Sequence, residues 1–174
     1  MQHAATFLGL DFGTTNTVVS TILPTGERRQ RTFASDLGET ANFRSVICYW
    51  QEFQRGVSGL HHSSGPFGIL DYLKWGTDQR LIMSMKSYLG DRSFSGTDIH
   101  GSRFAIEHII ADFLEDLLHT HSPDLDPSQT RLIVGRPVVY VGVNADQNLA
   151  IRRMRAAIEP LGFADLGFEF EPAA

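Results

Sequence analysis

Residues 6–20 read Thr-Phe-Leu-Gly-Leu-Asp-Phe-Gly-Thr-Thr-Asn-Thr-Val-Val-Ser. An apolar run closes on a carboxylate, Asp11. Gly13, Thr14, Thr15 and Asn16 follow, and a second β-branched run begins at once. The pattern predicts a β-hairpin whose turn is lined with small hydroxylated residues. Such a turn suits a nucleotide phosphate with its metal. Gly13 lets backbone N–H groups approach an anion closely. Threonine hydroxyls can donate to phosphate oxygens, and Asp11 is a hard oxygen ligand for Mg²⁺, directly or through water. The same residues would also make an ordinary hairpin with a polar turn, so the pattern alone leaves both readings open.

The elements that must position this turn are readable from periodicity. Residues 6–11, 16–23 and 28–33 read as three short strands, with Pro24-Thr25-Gly26 a turn between the last two. They predict an antiparallel meander. Residues 45–50 read as a further strand. From 51 to 80 glycines interrupt every pattern, and only 69–75 suggests a short helix. Lys86 follows the apolar Leu81-Ile82-Met83, and 90–101 reads as a polar loop. Residues 102–120 read as a helix, with Ile106, Ile109, Ile110, Phe113, Leu114, Leu117 and Leu118 on one face. Residues 132–134 then read as a buried strand, 144–161 as a second helix and 167–171 as a final strand. Arg152, Arg153 and Arg155 are expected on the exposed face of that second helix. Strands first, then helix–strand–helix–strand, predict an α/β fold: a mixed sheet with helices packed on it. No G-x-x-x-x-G-K-[ST] loop is present. Gly9 and Gly13 do not form a G-x-G-x-x-G fingerprint, and no helix follows them.

Composition removes several classes of partner. The formal charge of −5 argues against non-specific binding to nucleic acid or to an anionic membrane. Cys48 is the single cysteine, which excludes an intrachain disulfide and suits a reducing cytoplasm. Its apolar neighbours predict a buried structural thiol. No basic, apolar leader opens the chain, and no apolar run approaches the ~20 residues of a membrane span. The seven histidines show no zinc spacing. His61 and His62 read as loop residues, and His119 and His121 as the end of a helix.

The segment Leu-Gly-Leu-Asp-Phe-Gly-Thr-Thr-Asn-Thr-Val-Val-Ser resembles the first phosphate motif of the actin-like ATPase superfamily. Its Thr14-Thr15-Asn16 wording resembles the DnaK-type heat-shock chaperones. Residues 84–90, Ser-Met-Lys-Ser-Tyr-Leu-Gly, resemble the segment holding that family's catalytic lysine. Residues 132–138 and 170–174 resemble the strand–proline and Glu-Pro segments that precede a lobe-crossing helix. The K-S-Y-L-G and V-G-R-P wording looks most like the chaperone group typified by YegD.

The resemblance implies a ribonuclease H-like, actin-like ATPase lobe with an inserted subdomain at about 35–98. It implies ATP or ADP with Mg²⁺ as ligands. Asp11 would stand on the metal side, through water, and Gly13, Thr14 and Thr15, with Asn16 beside them, would hold phosphates. Lys86 would lie near the γ-phosphate and orient the attacking water. Glu171 would stand near the metal, and Pro137 would relay nucleotide state to the surface. Gly135-Arg136 departs from the family's small apolar lead-in to that proline. The resemblance further implies that this chain is a first lobe only, a fragment or truncated product. Its partner would be a second lobe carrying the other phosphate loop and the adenosine pocket, and a peptide-binding domain would also lie outside it. Phe168 and Phe170 are then expected on a sheet side that wants a cover, with self-association as one outcome. Two other readings stand beside this one: a non-catalytic interaction module, and a sugar- or acetate-kinase lobe of the same superfold. The latter is opposed by a lysine where those enzymes use a base such as Asp, and by the lack of a sugar-binding cluster.

Overall fold

The computed structural model describes residues 6–35, 38–54, 57–76, 78–136 and 145–170. The first strands in chain order are β1 (Thr6–Phe12), β2 (Asn16–Ile22), β3 (Arg28–Gln30), β4 (Phe33–Ser35), β5 (Gly38–Thr40) and β6 (Phe43–Arg44). Next come β7 (Val46–Gln54), β8 (Val57–Ser64), helix α1 (Gly65–Trp75) and β9 (Arg80–Met83). The remainder is β10 (Gly96–Ile99), β11 (Ser102–Ala105), α2 (Ile106–Glu115), β12 (Thr130–Arg136), α3 (Gln147–Ile158) and β13 (Asp165–Phe170).

Alternation along the first hairpin decides the architecture. Leu8, Leu10 and Phe12 of β1 are buried, as are Thr17, Val19 and Thr21 of β2, while the residues between them face the other side. β1 and β2 pair antiparallel from Phe7↔Ile22 to Phe12↔Thr17, and β3 extends the expected meander. On its other edge β1 takes β12 as a parallel neighbour, Leu8 opposite Leu132, and β13 lies parallel beyond it. The order is β13-β12-β1-β2-β3, with β6 also paired to β2. Parallel neighbours need crossovers, and helices supply them. α2 leads into β12, and α3 joins β12 to β13.

Ile109, Ile110 and Phe113 of α2 and Ala150, Met154 and Ala157 of α3 form one cluster with Leu8, Leu10, Leu132 and Val134. Both helices therefore cover the same sheet face. Phe113 sits 5.6 Å from Phe12 and 5.9 Å from Phe43, ring to ring, and Phe43 lies 4.8 Å from Phe33. Full burial of each such ring stabilises by roughly 1.5–3 kcal/mol.

The described residues of 51–80 contain the expected helix at 69–75, within a longer α1, and strands that periodicity did not show. β7 pairs antiparallel with β8 and with β9, and α1 packs on this second sheet. His61 and His62 lie in β8 rather than in a loop. The misleading signal was the Ser-Ser-Gly-Pro run, which is the strand-to-helix corner. Gly65 holds φ 63 there, and a Cβ would fall 2.3 Å from the Phe43 ring, so only glycine fits. Pro66 occupies the first helical turn, where its missing N–H is harmless.

The expected loop at 90–101 contains half of the hairpin β10–β11. Its turn residues His100 and Gly101 both take positive φ, 46 and 82. That is the handedness a tight hairpin needs, reached with a histidine in place of the usual asparagine. α2 accordingly begins at Ile106, not at 102. Cys48 is buried as expected and donates to Gln79 Oε1 at 3.0 Å. Burial, then the nearby Asp71 charge, pushes its thiol up to about 11. Among the described residues no helix is long and apolar enough to cross a membrane.

Candidate functional site

The turn between β1 and β2 is closed by one hydrogen bond, Gly13 N–H donating to the Asn16 carbonyl at 3.0 Å. A Cβ on Gly13 would lie 2.2 Å from that same oxygen, so glycine is required for the closure. Thr14 and Thr15 occupy the exposed tip. The flank of the turn is pinned. Ser45 N–H donates to the Thr15 carbonyl at 2.9 Å, and the buried hydroxyls of Thr17 and Ser45 share a bond of 2.9 Å. Arg44, paired across the ladder with Asn16, donates to Asn16 Oδ1 at 3.1 Å. The Asn16 side chain is thus engaged by a guanidinium, and Arg44 adds a positive charge beside the turn that the sequence reading missed.

On the sheet face opposite α2 and α3, Gly9, Asp11, Val18, Ser20, Ile133, Gly135 and Glu169 line a cleft of about 280 Å³. Its polar geometry follows from register. Leu10 pairs with Val134, so Gly135 falls level with Asp11, and Gly135 pairs with Glu169. Two exposed carboxylates therefore stand in one row with only a glycine between them. At the usual strand spacing their Cα atoms are about 10 Å apart. Sequence reasoning named Glu171 and passed over Glu169. Glu171 and Pro137 lie outside the described residues. Among the described residues no group of three or more His, Cys, Asp or Glu could hold a metal ion. The donors in this row are hard oxygens, few in number, which suits Mg²⁺ keeping most of its water.

Phe168 does not face this cleft. It packs against the helix-side core, with the Arg155 guanidinium 5.3 Å from its ring centroid. Phe170 is exposed, with Arg136 3.7 Å from its ring centroid. α3 therefore covers Phe168, while Phe170 stays open at the end of the strand and also lines the cleft.

Lys86 lies on a 3₁₀ turn, Met85–Tyr88, anchored by the buried Met85 and entered through Ser84 at φ 58. Register links it to the first turn. Met83, at the end of β9, pairs with Val46, the residue after the Ser45 that bonds Thr15.

The loop beyond Lys86 is held by Arg153, and here an expectation fails. Arg153 is buried, not exposed. It donates to the carbonyls of Tyr88, Leu89 and Asp91 at 3.0, 3.1 and 3.0 Å and to that of Phe94 at 2.6 Å. Its Nε lies 3.3 Å from Glu107. A guanidinium can be buried because so many of its donors are satisfied. The signal was available: Arg153 stands three residues after Ala150 and four before Ala157, on the apolar stripe of α3. Asp146 caps the same helix, accepting from Leu149 N–H at 3.0 Å and from Arg92 at 2.9 Å, while its own N–H donates to Gly90 at 2.8 Å. The Leu149 N–H, then Arg92, hold its carboxyl below the usual range.

No family profile and no curated protein matches this chain. Solved structures do. MreB5 of Spiroplasma citri bound to ADP aligns with 97% of the chain at a TM-score of 0.51 and 13% identity. MreB 5 of the same organism bound to AMPPNP aligns with 95% at a TM-score of 0.50 and 14% identity. The chain spans 39% and 38% of those two chains. At such identity the likeness is one of fold alone: the chain is folded like the aligned part of those two MreB chains.

Proposed function

We propose that this chain is the phosphate-binding lobe of a DnaK-like ATPase, completed by a second lobe that supplies the adenosine pocket. The observation that carries the reading is the pinned Gly13–Asn16 turn beside the Asp11–Gly135–Glu169 row. Thr14 and Thr15 donate to phosphate oxygens from the exposed tip. Asp11 and Glu169 would hold Mg²⁺ through water, and the ion would supply positive charge to neutralise the phosphates. Lys86 places an ammonium near the terminal phosphate and orients the attacking water. Phosphoryl transfer needs chiefly positioning and charge neutralisation, and these residues offer both. The chaperone-type assignment is supported by the Thr14-Thr15-Asn16 and Lys86–Gly90 wording. Glu171 and Pro137 keep the roles that the resemblance implies, as part of the proposal.

The test uses tripolyphosphate with Mg²⁺, which needs no adenosine pocket. At about millimolar ligand, a range suited to half a site, amide NMR shifts should concentrate at 11–16 and around Gly135. Shifts scattered over the surface, or none, would refute the reading. ATP should do no better than tripolyphosphate on this chain alone.

A further inference from the structure

A second cleft lies away from the phosphate turn, between β7 and the end of α1, with a volume of about 410 Å³. Trp50 and Glu52 stand at alternate positions of β7, on the side where Gly68 of α1 approaches Cys48. Trp75 ends α1, and Gly76 at φ 81 turns the chain so that Asp78 and Gln79 close the cleft. Gln51 completes the lining. The cleft thus brings together two indoles and two carboxylates.

We infer that this cleft is a receptor for an arginine or lysine side chain presented by a basic peptide. Indole faces attract cations through the ring quadrupole, and nearby carboxylates strengthen the attraction. The protein already places a cation over one of these indoles and stacks an imidazole on the other. Lys74 holds its ammonium 4.8 Å from the Trp75 centroid. His61 stacks on Trp50 at 6.0 Å and places Nε2 3.6 Å from Glu52. Glu52 and Asp78 leave the lining acidic even with Lys74 beside it. Trp75 remains 64% exposed, so an incoming stem would find apolar surface to cover. The chain's net charge of −5 steers a cationic partner towards it. Arginine is favoured over lysine because a planar guanidinium stacks on indole while its N–H groups reach carboxylates.

The chain's two tryptophans both line this cleft, so intrinsic fluorescence reports on it directly. The whole chain is titrated with a capped tetra-arginine peptide, against capped tetra-glutamate and tetra-serine. Fluorescence should change saturably with tetra-arginine alone, and both indole N–H resonances should shift. Trp75→Ala changes an exposed side chain and should fold normally by circular dichroism while weakening binding about tenfold, as losing one desolvated cation–π contact would. Glu52→Gln with Asp78→Asn should weaken binding about fivefold and flatten its salt dependence. Equal response to tetra-glutamate, no saturable response up to about 1 mM peptide, or unchanged affinity in folded Trp75→Ala would each overturn the proposal. Equal affinity for free arginine amide would overturn the peptide and leave a small-cation site.

Discussion

The two faces of the central sheet are made by the same strands and behave as different materials. On one face Leu8, Leu10, Phe12, Leu132 and Val134 lie under α2 and α3 and are almost wholly buried. On the other, the intervening positions are Gly9, Asp11, Val18, Ser20, Ile133, Gly135 and Glu169, a mixture of small, acidic and aliphatic residues that are half-buried or exposed. The covered face resists substitution because its energy is in close packing. The open face has little packing to lose and carries the groups that could meet a phosphate and a metal. Stability and proposed chemistry are thus separated by one-residue steps along each strand.

The sharpest way to break this contrast is at the covered face. Phe113→Ala removes a ring that touches both Phe12 and Phe43, and should lower unfolding free energy by about 3–5 kcal/mol. Ile133→Ala, on the open face, should cost under about 1 kcal/mol. Denaturant midpoints of the two variants decide it. Similar losses would mean that the open face is packed too.

A second test asks whether the covered side tolerates polarity only when it is satisfied. Arg153→Met strands four carbonyls and leaves Glu107 without its partner. A loss of about 3 kcal/mol is expected. Arg153→Met combined with Glu107→Gln should lose less than the two single losses added, since the pair is coupled. Hydrogen exchange should quicken around 86–94, the loop that Arg153 grips.

How much of this was readable beforehand follows the same division. The meander, both crossover helices and the last two strands showed in the sequence because one-sided burial leaves a period of two or 3.6. Between β7 and β11 only the later part of α1, at 69–75, showed, because the rest of the order there rests on corners. Gly65 fits against Phe43, and His100 takes a positive φ that no periodicity encodes. At the site, Asp11 and the Gly13–Asn16 turn were legible as a local motif. Glu169 and Arg44 were not, because register across the sheet, not sequence spacing, brings them beside it. Arg153 was misread because charge was given more weight than its place on the stripe.

The third test concerns pH. Asp116, at the end of α2, accepts from the Ser64 N–H at 2.7 Å and lies 3.7 Å from His121. Burial pushes its carboxyl up, but the hydrogen bond and charge of His121, with Thr120 and the Ser64 N–H, outweigh that and hold it low. A folded value below the unfolded one gives stability that is present above the ordinary carboxylate range and is lost as pH falls through the folded value. Asp116→Asn should therefore cost about 1.5–3 kcal/mol near neutrality. The gap between wild type and variant should narrow below about pH 4. A gap that widens in acid would reverse the sign and remove Asp116 as a stabilising anion.

The smallest expected change in stability is the most telling for the open face. Asp11 is exposed at the end of β1, and its backbone pairs with Val18 whatever the side chain. Asp11→Asn keeps the shape and removes one charge, so unfolding free energy should move by no more than about 0.5 kcal/mol. Binding of Mg²⁺–tripolyphosphate should nevertheless fall at least about tenfold, since a charge-assisted contact is worth roughly 1.5–3 kcal/mol. Glu169→Gln should give a smaller loss, because the metal would meet it through water from across Gly135. Calorimetric titration and denaturant melts on the same samples separate the two quantities. If Asp11→Asn unfolds the chain, its carboxylate belongs to the scaffold. If stability and binding both stay level, the row across Gly135 is an ordinary solvated edge. Only a loss of binding without loss of stability keeps the two faces as different as the structure makes them.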